Sequence, residues 1–156
     1  MDFNRQISRR LHEEHVATLD LWSRVEQTIG TRDAALEALL GRAAAALADE
    51  VARHFDFEES ELFPRLAEAG EGDIAELLAE EHEVIRAAAA QFDELCRALR
   101  AGRLDAPGWQ RLRVTALELA ERLVSHVQKE EMSLLPALED LLDEETDAQL
   151  AMTYAS

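Results

Sequence analysis

The sequence predicts an all-α protein, a single domain over residues 1–156 folded as an up-down-up-down four-helix bundle with a short C-terminal helix. Three observations carry this. Ala, Leu, Glu and Arg dominate, while β-branched residues are few and aromatics make up 5% of the chain, a composition that favours helix over strand. The main punctuation falls at Gly30-Thr31, at Gly70-Glu71-Gly72, and between Gly102 and Gly108 around Pro107, which leaves four long segments between short connections. The chain also repeats itself at a fixed offset, and such self-similarity identifies the unit from which a fold is built. Short connections make sequential helices antiparallel neighbours.

The four segments run roughly 4–29, 33–69, 73–101 and 109–142, and the tail 143–156, opening on Asp143-Glu144-Glu145-Thr146, predicts the short fifth helix. Each long segment carries an apolar stripe at helical period. The first stripe is Leu11, His15, Leu19 or Thr18, Trp22, Val25 and Ile29. The second is Leu40, Leu47, Val51, His54, Glu58, Leu62 and Leu66. Ile74, Leu78, His82, Ile85, Ala89, Phe92, Cys96 and Leu99 form the third. Leu112, Leu119, Leu123, His126, Glu130, Leu134 and Leu138 or Leu141 form the fourth. A histidine thus interrupts every stripe, and a glutamate interrupts two of them.

Those interruptions are the repeat. His54-x3-Glu58-Glu59 with Leu62, Pro64 and Leu66 recurs 72 residues later as His126-x3-Glu130-Glu131 with Leu134, Pro136 and Leu138. Glu13-Glu14-His15 precedes the first copy, and Glu80-Glu81-His82 precedes the second. Four of the five histidines belong to this scheme. A four-residue spacing sets imidazole and carboxylate on one helix face, one turn apart. In antiparallel order, His15 comes level with His54 and Glu58, and His82 with His126 and Glu130.

Bulk properties exclude several classes of partner. A formal charge of −17 and a pI near 4.6 oppose binding to nucleic acid or anionic membrane, both of which require basic patches. No segment approaches the ~18 apolar residues of a membrane span, and no apolar leader follows the N-terminus. The single cysteine, Cys96, forms no internal disulfide and fits a reducing, cytoplasmic compartment.

Two carboxylates and four imidazoles at core positions require compensation, because a buried unpaired carboxylate costs several kcal/mol or neutralises. No lysine or arginine shares the stripes beside them. Cations would satisfy both the charge and the lone pairs. The donors are nitrogen and oxygen without thiolate, a set suited to iron or manganese rather than structural zinc. Six converging residues also exceed one tetrahedral zinc site. Two octahedral ions offer about 12 positions. Four His, two bridging Glu and an oxo or hydroxo bridge fill about ten, which leaves about two for a further side chain and an external ligand.

On His15, His54-x3-Glu58, His82 and His126-x3-Glu130, with the trailing Leu-x-Pro motifs, the chain resembles the hemerythrin-like HHE cation-binding family from about Arg10 to Leu142. The resemblance implies a four-helix bundle holding two Fe ions in a non-haem di-iron, oxo- or hydroxo-bridged centre. It makes the four histidines terminal ligands and Glu58 and Glu130 the bridges. Respiratory hemerythrins carry two histidines one turn apart on the third helix, where this chain has His82 flanked by Leu78 and Arg86. They also end the last motif with aspartate where Glu130 stands here. These departures direct the reading away from reversible oxygen transport and toward the broader HHE group. Its members are associated with sensing or handling of oxygen, nitric oxide, peroxide or iron, so the expected partner is a small diatomic or peroxide ligand.

Other residues keep two readings at this stage. His12, three residues before His15, is a fifth ligand, a donor behind the ligands, or exposed. Glu61, seven residues after His54, is an additional ligand or a solvated carboxylate. Glu14, Glu81, Glu59 and Glu131 flank the ligands and stand behind them or at the surface. Pro64 and Pro136 each remove one helical hydrogen bond and predict kinks just beyond the site. Trp22, Phe57, Phe63, Phe92 and Cys96 read as core. A ferritin-like oxidase would show Glu-x-x-His on two helices, but His12, Val51, Ala79 and Leu123 occupy those positions. The remaining competitor is an interaction module, metal-dependent or metal-free, that performs no turnover.

Overall fold

The computed structural model describes residues 2–156 and contains five helices and no strand among them. They are α1 (Gln6–Thr28), α2 (34–68), α3 (Gly72–Arg100), α4 (106–141) and α5 (Glu144–Ala155). The first four form a closed ring of neighbours, α1 on α2, α2 on α3, α3 on α4 and α4 on α1, and α5 lies against α1. The bundle with its short C-terminal helix therefore matches the sequence expectation.

Local chemistry explains the helix ends. Asp33 caps α2 by accepting from Leu36 N, and Asp143 caps α5 by accepting from Thr146 N, each satisfying an amide that the first turn leaves free. Helix α4 begins at Ala106 rather than near 109, because Asp105 accepts from Gly108 N and Pro107 fits the first turn. Helices α2 and α3 end on Gly70 and Gly102, at φ +89° and +69°. There Glu71 N donates back to Leu66 O and Arg103 N to Ala98 O, a closure that needs the left-handed conformation open to glycine.

The two prolines do not simply break their helices. Each follows a widened turn, Glu58–Leu62 before Pro64 and Glu130–Leu134 before Pro136, with a further widened turn at Glu50–Phe55. Phe63 N donates to Glu58 O and Leu135 N to Glu130 O, five residues back instead of four. Such turns lodge an extra residue and are frequent at functional sites. Here they carry His54, Phe55, Phe57 and Glu58 all inward, a broader buried face than a regular stripe allows.

The interior has two apolar layers. One contains Trp22, Leu40, Leu47, Phe92, Leu112 and Leu119. The other contains Ile7, Leu11, Leu62, Leu66, Leu78, Leu134 and Leu138, with Leu150 and Tyr154 from α5. The start of α1 is fixed to the second layer by long-range caps: Asp147 accepts from Gln6 N (2.8 Å) and Ile7 N (3.0 Å), and Glu139 accepts from Arg5 N (2.8 Å). Between the two layers lie the buried histidines and glutamates.

Candidate metal centre

The stripe positions place six polar side chains in one slab: His15 from α1, His54 and Glu58 from α2, His82 from α3, and His126 and Glu130 from α4. All six are at most 2% exposed. They form two groups, each able to offer four donors to one ion: His15, His54, Glu58 and Glu130, and Glu58, His82, His126 and Glu130. Both carboxylates belong to both groups.

The distances explain the sharing. Glu130 Oε1 lies 2.9 Å from His15 Nε2 and 3.7 Å from His54 Nε2, while its Oε2 lies 2.9 Å from His126 Nε2 and 3.6 Å from His82 Nε2. Glu58 Oε2 lies 2.9 Å from His54 Nε2, and Oε1 lies 3.1 Å from His82 Nε2. Each carboxylate thus turns one oxygen to each group.

An outer layer fixes the rings. His15 Nδ1 meets Glu131 Oε2 at 2.7 Å, His54 Nδ1 meets Glu14 Oε1 at 3.2 Å, His82 Nδ1 meets Glu59 Oε2 at 2.6 Å, and His126 Nδ1 meets Glu81 Oε1 at 2.8 Å. A ring donating its Nδ1 proton to a carboxylate presents its Nε2 lone pair on the other side, and it is a more basic ligand for the bond. The repeated glutamates therefore stand directly behind the buried histidines. Glu14 and Glu81 support the histidine of the following helix within their own half of the chain. Glu59 and Glu131 reach across to the other half.

This arrangement fits cations. Glu58 Oε1 and Glu130 Oε2 are buried and accept no hydrogen bond, although ring nitrogens stand 3.1 and 2.9 Å away. His82 Nε2 and His126 Nε2 face each other at 3.1 Å, where two lone pairs would repel unless a proton or a metal lay between them. Protonation behaviour shows the same demand for positive charge. Burial alone would lower the His15 ring, but the hydrogen bonds it donates to Glu130 and Glu131 hold it up to about 9. Against the same burial penalty, Glu130 and Glu58 hold His82 up to about 9, and Glu130 and Glu81 hold His126 up to about 10. Glu130, despite complete burial, is held well below the usual carboxylate range by His126, His15 and His54.

His12 and Glu61, the two candidate additional ligands, lie outside both groups. His12 is turned to Glu131 Oε1 at 2.6 Å, and Glu61 pairs with Arg65 at 3.2 Å. Arg86 holds Glu59 at 2.8 Å, with its guanidinium 5.7 Å from the centroid of the Phe55 ring. Three residues near the slab escaped the sequence reading. Glu50, 8% exposed, sits one turn before His54 with Oε1 3.3 Å from its Nδ1, and burial raises its proton affinity. Its spacing to His54 is the same four residues as His54 to Glu58, and that signal could have found it. Phe55 stacks flat on His82, with ring centroids 3.8 Å apart and planes 3° apart. Tyr154 of α5 donates to Glu14 Oε1 at 2.5 Å, a contact between residues 140 positions apart that periodicity does not reveal. Glu14, Glu50 and His54 Nδ1 also converge, but Arg53 and Tyr154 already engage Glu14.

The position of Glu131 beside Glu130 left it open to a surface role, but its bond to the buried His15 gives it a larger one. Glu131→Ala is expected to weaken metal binding about 10–100-fold, as loss of a carboxylate behind a histidine ligand does, with helix content unchanged by circular dichroism. Parent-like affinity in a metal-competition titration would refute that role.

Fold and slab together define a class: a helical bundle with a buried histidine–carboxylate cluster able to hold metal ions. The family profile described as the hemerythrin HHE cation binding domain matches residues 6–138. The chain belongs to that family. No curated protein matches it. The matched stretch contains all six slab residues and stops short of α5.

Proposed function

We propose that this chain is a non-haem di-iron protein. One iron is held by His15 and His54, the other by His82 and His126, and Glu58 and Glu130 are shared by both. The observation that carries this reading is the pair of four-donor groups with both carboxylates in common. The donor set favours iron over zinc, since it lacks thiolate and exceeds one tetrahedral site. Bound there, two irons would supply one-electron redox chemistry and the capacity to bind a small ligand.

The protein's own residues define how such a ligand is met. Phe55 and Phe63 cover His82, and Leu62, Leu78 and Leu134 close the adjacent layer, so bulk water is kept from that side. On the α1–α2 side, a surface cavity of about 210 Å³ is lined in part by Glu14 and Glu50, which meet His54 Nδ1 at 3.2 and 3.3 Å. The partner on this reading is oxygen, nitric oxide or peroxide, small enough for the positions that four histidines and two carboxylates leave unfilled on two octahedral ions, and the role is sensing or detoxification. A cytoplasmic setting suits the lone, buried Cys96, whose thiol burial pushes up to about 12.

No helix among the described residues is long and apolar enough to cross a membrane. Elemental analysis after expression in iron-replete medium is expected to give close to two irons per chain. The optical spectrum is expected to change when the reduced protein meets oxygen, nitric oxide or peroxide. A preparation that binds one zinc tightly and refuses iron would overturn the reading.

A further inference from the structure

The four carboxylates behind the histidines differ in what they meet on their outer side. Glu14 is held by Arg53 and Arg10, each at 3.1 Å, Glu59 by Arg86 at 2.8 Å, and Glu81 by Lys129. Arginine keeps its charge at every accessible pH, and lysine ordinarily keeps it to about pH 10. Glu131 instead meets His12, whose Nδ1 lies 2.6 Å from Oε1 while Oε2 of the same carboxylate lies 2.7 Å from His15 Nδ1. A single carboxylate thus links a ring of the buried slab to a ring at the surface.

His12 is placed to exchange protons with water. Its side chain is 36% exposed, it rests against Phe3 with ring centroids 5.5 Å apart, and it opens on a surface cavity shared with Asp2, Arg9 and Glu13. Those three and Glu131 are the charged groups that face it from the N-terminal segment, from α1 and from α4. Histidine is the side chain whose charge ordinarily changes between about pH 5 and 8. Charging His12 draws Glu131 toward it and weakens the bond that Glu131 accepts from His15, which lowers the basicity of His15 as a ligand.

We propose that His12 is a positioning residue and the proton port of the centre, coupling solvent protons through Glu131 to His15. It would tune the metal position at His15 and His54, while the position at His82 and His126, backed through Arg86 and Lys129, stays insensitive over the same range. If one ferric ion were reduced to ferrous by the electrode or a reduced flavin, His12 would take up one proton from water, so that one electron and one proton enter together. On reoxidation by the electrode or dioxygen, the electron would go to that acceptor and the proton back to water. This rests on the di-iron reading above.

The test is spectroelectrochemistry of the full metal-loaded chain between about pH 5 and 8. In the parent protein one midpoint potential is expected to fall with rising pH, by up to about 59 mV for each tenfold change in proton activity. His12→Gln is expected to abolish that slope. His12→Arg is expected to be equally flat and to hold the potential near the parent's acidic value. A merely structural role would displace the potential without removing its slope, and an unchanged slope in both variants overturns the proposal. A second readout needs no redox metal. In the stripped protein, the His15 Nδ1 proton resonance is expected to shift between about pH 5 and 8 in the parent and to hold its position over that range in His12→Gln. If the chain takes up no redox-active metal, the di-iron reading falls, while that resonance still decides the link from His12 to His15.

Discussion

Glu130→Ala is expected to lose both metals and to destabilise the stripped protein by roughly 3–5 kcal/mol, the usual cost of removing one partner from a buried ionic cluster. Glu58→Ala is expected to do less of both. The two glutamates are repeat equivalents, but their surroundings differ. Glu130 lies within 3.7 Å of Nε2 on all four histidines, whereas Glu58 lies beside two, His54 at 2.9 Å and His82 at 3.1 Å. Without Glu130 four buried rings lose a counter-charge at once, and each group of donors loses an oxygen. Elemental analysis and urea unfolding of the stripped variants measure the two effects. A larger loss from Glu58→Ala would show that the slab is centred on the wrong carboxylate.

Stripping the metal is expected to lower the melting temperature, and the difference between loaded and stripped protein is expected to widen as pH rises from 6.5. In the stripped protein the His15, His82 and His126 rings are raised from 6.5 to about 9, 9 and 10. A raised folded-state value gives stability that is complete below 6.5 and is lost as pH climbs through 9 to 10. Glu14 is shifted the opposite way. Burial would raise it, but bonds from His54, Tyr154 and Arg10 take it from 4.5 down to about 2. Its contribution is therefore present above 4.5 and lost as pH falls through 2. The stripped protein has its optimum between these limits and is expected to lose roughly 5–10 °C in melting temperature between pH 6.5 and 10. Metal requires unprotonated rings, so its contribution grows over the same interval as protons cease to compete. Calorimetry of both forms at four or five pH values checks this. A difference that narrows toward pH 9 would contradict it.

Much of this protein was legible in its sequence because both main signals are local. Helical period and glycine breaks gave the bundle, a histidine four residues before a glutamate identified the buried polar positions of α2 and α4, and Glu-Glu-His identified those of α1 and α3. Burial of charge is expensive enough that such interruptions of an apolar stripe carry meaning on their own. Other features depend on how helices turn toward each other. Repetition marked Glu14, Glu59, Glu81 and Glu131 but could not tell a surface carboxylate from one behind a ligand, because a residue one position off the stripe reaches either. The widened turns before Pro64 and Pro136 contain Glu59 and Glu131, whereas Glu14 and Glu81 lie on regular stretches of α1 and α3 and owe their place to how those helices pack. Glu50 and Phe55 lie in the further widened turn of α2.

The sequence by itself determined the helices, their order and the six residues that face one another, since these follow from spacing along single helices. Tertiary structure alone decided the division into two groups sharing both glutamates, the Tyr154 contact from α5, and the pairing of His12 with Glu131 across 119 positions of chain. Distances between side chains on different helices are set by packing, and no periodicity along one helix encodes them.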